Sequence, residues 1–320
     1  MTPGDLFLLN GSLRPIWRFF LSLILVFLAH AAANLVAGEV RNLIPADVAG
    51  YAVYFLFELL ALLGAYKIMT RFFDQKPLAV VGLAFHPYWV KELSVGLAIG
   101  GIMMVSVGAA EALLALAHFT RSPLPAGTEL SYGSGLFLIL LISATNEELV
   151  FRGYPFQKLV ESLGPTAAVA VSSACFGLVH LGNPDHTWFS TINTMLVGIP
   201  LSIAYLRTRA LWMPVGVHFA WNYVQGFVFG LPVSGFRFPA TFLNPGVHGG
   251  EWLTGSSYGP EGGLLCTIAV LGAAIFLFLS SRIRMSGRMR ALVYGPSPYA
   301  AADAALHIAP RLDAREEGPS

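Results

Sequence analysis

Long apolar runs separated by short polar breaks set the pattern of this chain. Eight such runs lie at about 16–37, 48–68, 92–118, 134–155, 165–182, 188–206, 211–230 and 263–281. A helix needs ~20 apolar residues to cross a hydrocarbon core of ~30 Å, and these runs approach or exceed that length. The third is long enough to tilt, and the fifth and sixth are short. The polar breaks are equally informative. With the N-terminus cytoplasmic, Arg14, Arg18, Lys67, Arg71, Lys76, Lys91, Arg152, Lys158, Arg207, Arg209, Arg282, Arg284, Arg288 and Arg290 all fall inside. Arg311 and Arg315 join them, and only Arg41, Arg121 and Arg237 fall outside. Cytoplasmic loops collect basic residues, so both termini are expected inside, which requires an even number of spans. The predicted fold is all-α: a polytopic transmembrane helical bundle of about eight spans, both termini cytoplasmic. One membrane domain, 1–281 with its motif core at about 134–230, is followed by a basic and then disordered tail at 282–320.

Composition strengthens this reading. The chain is 55% hydrophobic and 12% charged, against about 25% charged in soluble domains. Its net charge of +1 offers no basic field for nucleic acid. Cys175 and Cys266 both lie in apolar runs and are expected as free, buried thiols. The first run is long and follows Arg14 and Arg18, so it reads as a span and not as a cleaved signal peptide. Residues 69–91 look like an interfacial inner connection. Residues 231–262 form the longest outer loop, expected either to pack over the outer mouth or to move. Its aromatics Phe236, Phe238 and Trp252 read as interface anchors. The four arginines after Ser281 suit an anionic inner leaflet.

Against that background, adjacent carboxylates at Glu147 and Glu148 inside an apolar run stand out. Intramembrane charge costs roughly 2.5–3.5 kcal/mol, and such groups face the bundle interior, paired or used. Neighbouring helical residues point about 100° apart, so the two glutamates have different jobs. Glu148 and Arg152 share a face at i, i+4 and are expected to form an ion pair. Glu147 has no such partner in its helix and suits a general base or acid. His218 and Asn222 also share a face, where two donors can hold an oxyanion. His180 follows Phe176 at the same spacing, so Phe176 can wall a pocket while His180 approaches Glu147. Counted at ~1.5 Å per residue, His218 lies ~10 Å and His180 ~24 Å from the cytosolic ends of their spans. The groups therefore meet only if the fifth span begins in the cytosol or tilts strongly.

Glu147-Glu148-Leu-Val-Phe-Arg152, Phe176-Gly-Leu-Val-His180 and His218-Phe-Ala-Trp-Asn222 resemble, in order, the EExxxR, FxxxH and HxxxN motifs of the CAAX-protease and bacteriocin-processing family of intramembrane endopeptidases. The resemblance covers roughly residues 90–230. It implies a helical bundle with a cavity open to the cytosolic side of the cell membrane. Glu147 would activate water with His180, while His218 and Asn222 stabilise the oxyanion. It implies as partners the membrane lipid and a peptide or lipid-modified protein substrate. No cofactor is required on this reading. The alternative is Zn²⁺ on Glu147, His180 and His218, with Asn222 a poor ligand and no HExxH present. Two other functions compete: a proton-coupled transporter relaying through Glu147, Glu58 and Glu111, and a non-catalytic immunity or scaffold protein. The chain shows no inverted repeat. The remaining polar residues have simpler expectations. His30 and Asn34 suit interhelical hydrogen bonding, Glu58 and Glu111 suit either lining the cavity or binding helices together, and His86, His118, His186 and His248 suit the interface.

Overall fold

The computed structural model describes residues 6–9, 12–43 and 48–296. All eight apolar runs carry helices, because each is apolar around its whole circumference and has no polar face to solvate. In chain order the helices are α1 Pro15–Leu43, α2 Val48–Ile68, α3 Trp89–Leu113, α4 Ala126–Arg152, α5 Tyr154–Leu163, α6 Pro165–Val179, α7 Trp188–Thr208, α8 Trp212–Tyr223, α9 Leu264–Leu279 and α10 Gly287–Tyr294. Large apolar side chains such as Phe27, Leu60, Ile102 and Ile275 point outward, as expected where lipid is the solvent. Among the described residues, six helices are long and apolar enough to cross a membrane. Helix α8, prolonged by a π-helical turn at Val224–Val228, and α9 are shorter. The count of eight therefore holds for apolar helices, while six meet the crossing length.

The third run ends earlier than its composition predicts. Helix α3 stops at Leu113, Ala115 turns back at φ 53°, and Ala117–Arg121 becomes a strand, β1. It pairs antiparallel with β2, Leu243–Val247, from Ala117↔Val247 to Arg121↔Leu243. Arg121 also pairs with Glu129 at the start of α4 and lies over the Phe242 ring. The long loop is thereby sewn to the bundle. His118 and His248 sit together at this exposed edge, and His186 is also exposed. His86, in contrast, is buried beside Glu92 rather than interfacial. Only one of the two thiols is buried: Cys266 is enclosed, while Cys175 faces out from α6.

Helices α3 and α8 approach so closely that glycine alone fits between them. A Cβ on Gly96 would lie 2.3 Å from the Met213 carbonyl, and one on Gly100 would lie 2.1 Å from that of Val217. Gly216 faces the Leu93 carbonyl in the same way. Small residues four apart permit this contact between membrane helices, and the seam positions His218. Overpacking costs about 1–3 kcal/mol, so Gly100→Val should lower the thermal midpoint of the purified protein by several degrees. Gly101→Val, where a Cβ meets nothing within 4 Å, should leave it in place. Equal midpoints for the two variants would refute the seam.

The spacing of His180 has its counterpart in the path of α5 and α6. Helix α5 continues beyond Arg152, the chain reverses at Gly164, and α6 climbs back. The Ser172 hydroxyl donates to the Phe151 carbonyl at 2.7 Å. Ser172 is thus level with the end of α4, and the first two turns of α6 lie beyond it, as a fifth span beginning outside the bilayer requires. At the basic end, α10 folds back with Met289 buried. Lys76 Nζ donates to the carbonyls of Leu292, Val293 and Gly295, capping a helix C-terminus with a cation. Arg282, Arg284, Arg288 and Arg290 remain exposed. The predicted disordered remainder of the tail, 297–320, lies outside the described residues.

Candidate active site

Three helices build the site, and α4 supplies its charge. Glu148 and Arg152 form the expected ion pair at 3.1 Å, and both side chains are fully buried. Arg152 also donates to the Gly198 carbonyl on α7 and lies over the Phe176 ring at 4.5 Å. Asn146, one residue before the carboxylates, donates to Glu58 Oε2 and to the Phe55 carbonyl on α2, each at 2.9 Å. The Tyr66 hydroxyl donates to the Leu149 carbonyl at 3.0 Å. The rotation of α4 about its own axis is therefore held from α2. Glu58 also meets His30 on α1 at 2.9 Å, while the Asn34 amide returns to its own helix at His30.

His180 and His218 reach Glu147 from two different elements, the turn after α6 and helix α8. Glu147 Oε2 lies 3.9 Å from His180 Nε2 and 3.8 Å from His218 Nε2, while Ser143 Oγ is 3.5 Å from Oε1. The far side of each ring is fixed. His180 Nδ1 is 2.7 Å from the Phe176 carbonyl, and His218 Nδ1 is 2.9 Å from Glu148 Oε1. A carbonyl only accepts, so Nδ1 of His180 carries the proton. A carboxylate likewise accepts from Nδ1 of His218. Both Nε2 atoms consequently face Glu147. Glu148 does more than balance Arg152: it also orients His218, a link that no spacing within α4 could reveal.

Asn222 stands one turn beyond His218, and both line a cavity of 670 Å³ with Glu147, His180 and Phe176. The cavity extends from Glu147 along α4 through Ser143, Leu140 and Leu136 to Tyr132, away from the buried Arg152. All four expected catalytic residues are thus gathered in one cavity, and Phe176 walls it. Glu111 does not line it; it is buried on α3.

Several contributors lie in the long loop and were read differently from sequence. Phe236 and Phe238 wall the cavity with Ser234, Arg237 and Pro239, so they serve the pocket and not only the interface. Trp252 remains exposed and outside it. Glu261 is a second carboxyl in the lining. It accepts from Gln225 at 2.5 Å, and burial pushes its pKa up to about 7. A carboxylate in a glycine-rich loop carries no periodic signal, so only the folded chain identifies it.

Among the described residues, no three His, Cys, Asp or Glu side chains stand close enough to hold a metal ion. The set expected for zinc from the sequence is Glu147, His180 and His218. Its 3.8–3.9 Å spacings exceed the ~3.3 Å edge of a tetrahedron with bonds of ~2.0 Å.

Residues 129–224, which contain every one of the expected catalytic side chains, match the family model described as type II CAAX prenyl endopeptidase, Rce1-like. This core is similar to the Rce1-like protease family. The Rce1-like stretch begins in the first turn of α4 and ends one residue after α8, so it spans the three motifs and the helices that carry them. Its members are CAAX-type endopeptidases, and the apolar helices around the core make this chain an integral membrane hydrolase. No curated relative and no solved structure matches the chain.

Proposed function

We propose that the protein hydrolyses a peptide bond in a membrane-associated or lipid-modified peptide, using water activated by Glu147. The observation that carries this reading is the placement of Glu147 Oε2 between two imidazole Nε2 atoms at 3.8 and 3.9 Å. These distances exceed direct hydrogen bonding, and they fit one water oxygen ~2.8 Å from each group. Glu147 takes a proton as that water attacks the carbonyl carbon. His180, held by the Phe176 carbonyl, fixes the direction of attack. The developing oxyanion lies against the Asn222 amide and against His218 carrying a proton on Nε2. Glu148 at Nδ1 fixes the orientation of the His218 ring, much as a carboxylate orients a catalytic imidazole. Glu147 then returns its proton to the leaving amine, so the reaction consumes one water and one peptide bond.

The cavity is wide and mostly apolar, which supports a substrate that brings hydrocarbon with it. Its lining supports access from the loop-covered end or from between helices. Toward the basic end, the Phe151 and Phe176 rings lie against the buried Arg152 guanidinium. The cytosolic opening implied by the family resemblance draws no support from this lining.

The decisive measurement uses the protein in lipid nanodiscs with a library of free and lipid-modified peptides, products being read by mass spectrometry. Cut products should appear with the parent protein and vanish with His180→Ala. After stripping with a strong chelator, the rate should stay within about two-fold of its starting value. Failure to find any product absent from the His180→Ala control would end this reading. Loss on stripping with recovery in Zn²⁺ would replace the water mechanism with a metal-assisted one.

A further inference from the structure

The loop residues over the cavity form a built turn. Val233 and Phe236 exchange backbone hydrogen bonds at 2.9 Å in each direction. The two residues between them, Ser234 and Gly235, have φ of 47° and 88°. Two central residues at positive φ make the turn whose twist suits a tight hairpin. The tip is wedged in place. Gly235 N donates to the Tyr258 carbonyl at 2.8 Å. A Cβ on Gly235 would lie 2.1 Å from the Pro184 carbonyl, just after the His180 turn. The turn therefore presents its next residues from a fixed base.

The residue so presented is Arg237. It is exposed, it lines the same cavity as Glu147, and none of the described hydrogen bonds or ion pairs engages it. Exposure together with cavity lining places it at the mouth. The other charged or titratable side chains in the lining are Glu147, His180, His218, Glu261, Tyr51 and Tyr132. Arg237 is thus the lining's one permanent cation, in a cavity shared with the Glu147 carboxylate. An anionic group on a bound peptide gains from the guanidinium and is repelled by Glu147, so it settles at the mouth end with the scissile bond farther in. A guanidinium grips a carboxylate by two parallel hydrogen bonds.

We infer that Arg237 is a specificity-determining residue that binds a carboxylate of the substrate peptide, either a side chain or the chain terminus. The inference rests on the peptidase reading for its biological sense, and its test does not require turnover. Fluorescent apolar peptides are titrated into Glu147→Gln protein in phosphatidylcholine nanodiscs, as free acid, as amide, and as amide with one internal aspartate or lysine. A carboxylate should tighten binding about ten-fold over the plain amide. The free-acid and aspartate arms identify which carboxylate is read. Arg237→Gln should erase the difference, and Arg237→Glu should make the lysine peptide the tighter one. That reversal is a gain, so it cannot come from misfolding. Equal affinities for all peptides would overturn the inference. So would a carboxylate preference that survives Arg237→Gln, or one abolished by phosphatidylserine, which would assign Arg237 to a lipid headgroup. Hydrolysis without carboxylate preference would leave the peptidase reading intact and sink only this inference. Carboxylate-selective binding without hydrolysis would do the reverse.

Discussion

Replacing Glu147 with glutamine is expected to slow peptide cleavage by about 10³-fold while leaving the bundle folded. Glutamine keeps the shape of the side chain but cannot take a proton from water. Glu147 makes no ion pair closer than 3.8 Å and is about one-third exposed to the cavity, so little stability depends on it. His180→Ala should cost about 10²-fold or more on its own. Because both act on one water molecule, the double variant should be little worse than Glu147→Gln alone. Rates are read in nanodiscs against a thermal midpoint that moves by no more than a degree or two. Additive losses would mean the two side chains act in separate steps, and full activity in Glu147→Gln would remove the proposed base.

Arg152→Ala is expected to fail differently, by destabilising the fold. The guanidinium is fully buried, and its removal leaves the buried Glu148 carboxylate with only His218 Nδ1 among its described partners. Breaking such a pair from one side costs about 3–5 kcal/mol, a large part of an ordinary folding free energy of about 5–15 kcal/mol. The variant should emerge aggregated or with a thermal midpoint lowered by many degrees. Replacing both partners by leucine should restore much of the stability, since apolar substitutes for a buried pair are often neutral. Activity should stay lost in that double variant, because His218 Nδ1 has no acceptor once Glu148 is gone. Size-exclusion profiles, melting curves and cleavage rates together separate the two contributions. An active leucine double variant would show that Glu148 does not orient His218.

Much of this site was legible in the residues before any coordinates. Helical spacing put Glu148 with Arg152, Phe176 with His180, and His218 with Asn222, since partners at i, i+4 are settled within one element. Apolar runs likewise located eight helices. What escaped was nonlocal. The Glu148–His218 contact joins residues seventy apart. Arg237 and Glu261 sit in a loop whose path over the cavity depends on β1 pairing with β2 and on the Ser234–Gly235 turn. The early end of α3 turns on Ala115, an alanine at positive φ that no residue preference would flag. Cys175 was misjudged because hydrophobicity alone does not distinguish a face packed on helices from one packed on lipid.

The clasp of α2 upon α4 has a bearing on how small this enzyme can become. Asn146 reaches Glu58 and the Phe55 carbonyl, and Tyr66 reaches the Leu149 carbonyl, yet all three partners on α2 precede the family-matching stretch that starts at residue 129. The motif-bearing segment is therefore not a module that can be excised. Cut free, it would keep its reactive groups and lose the brace that holds them at the right angle.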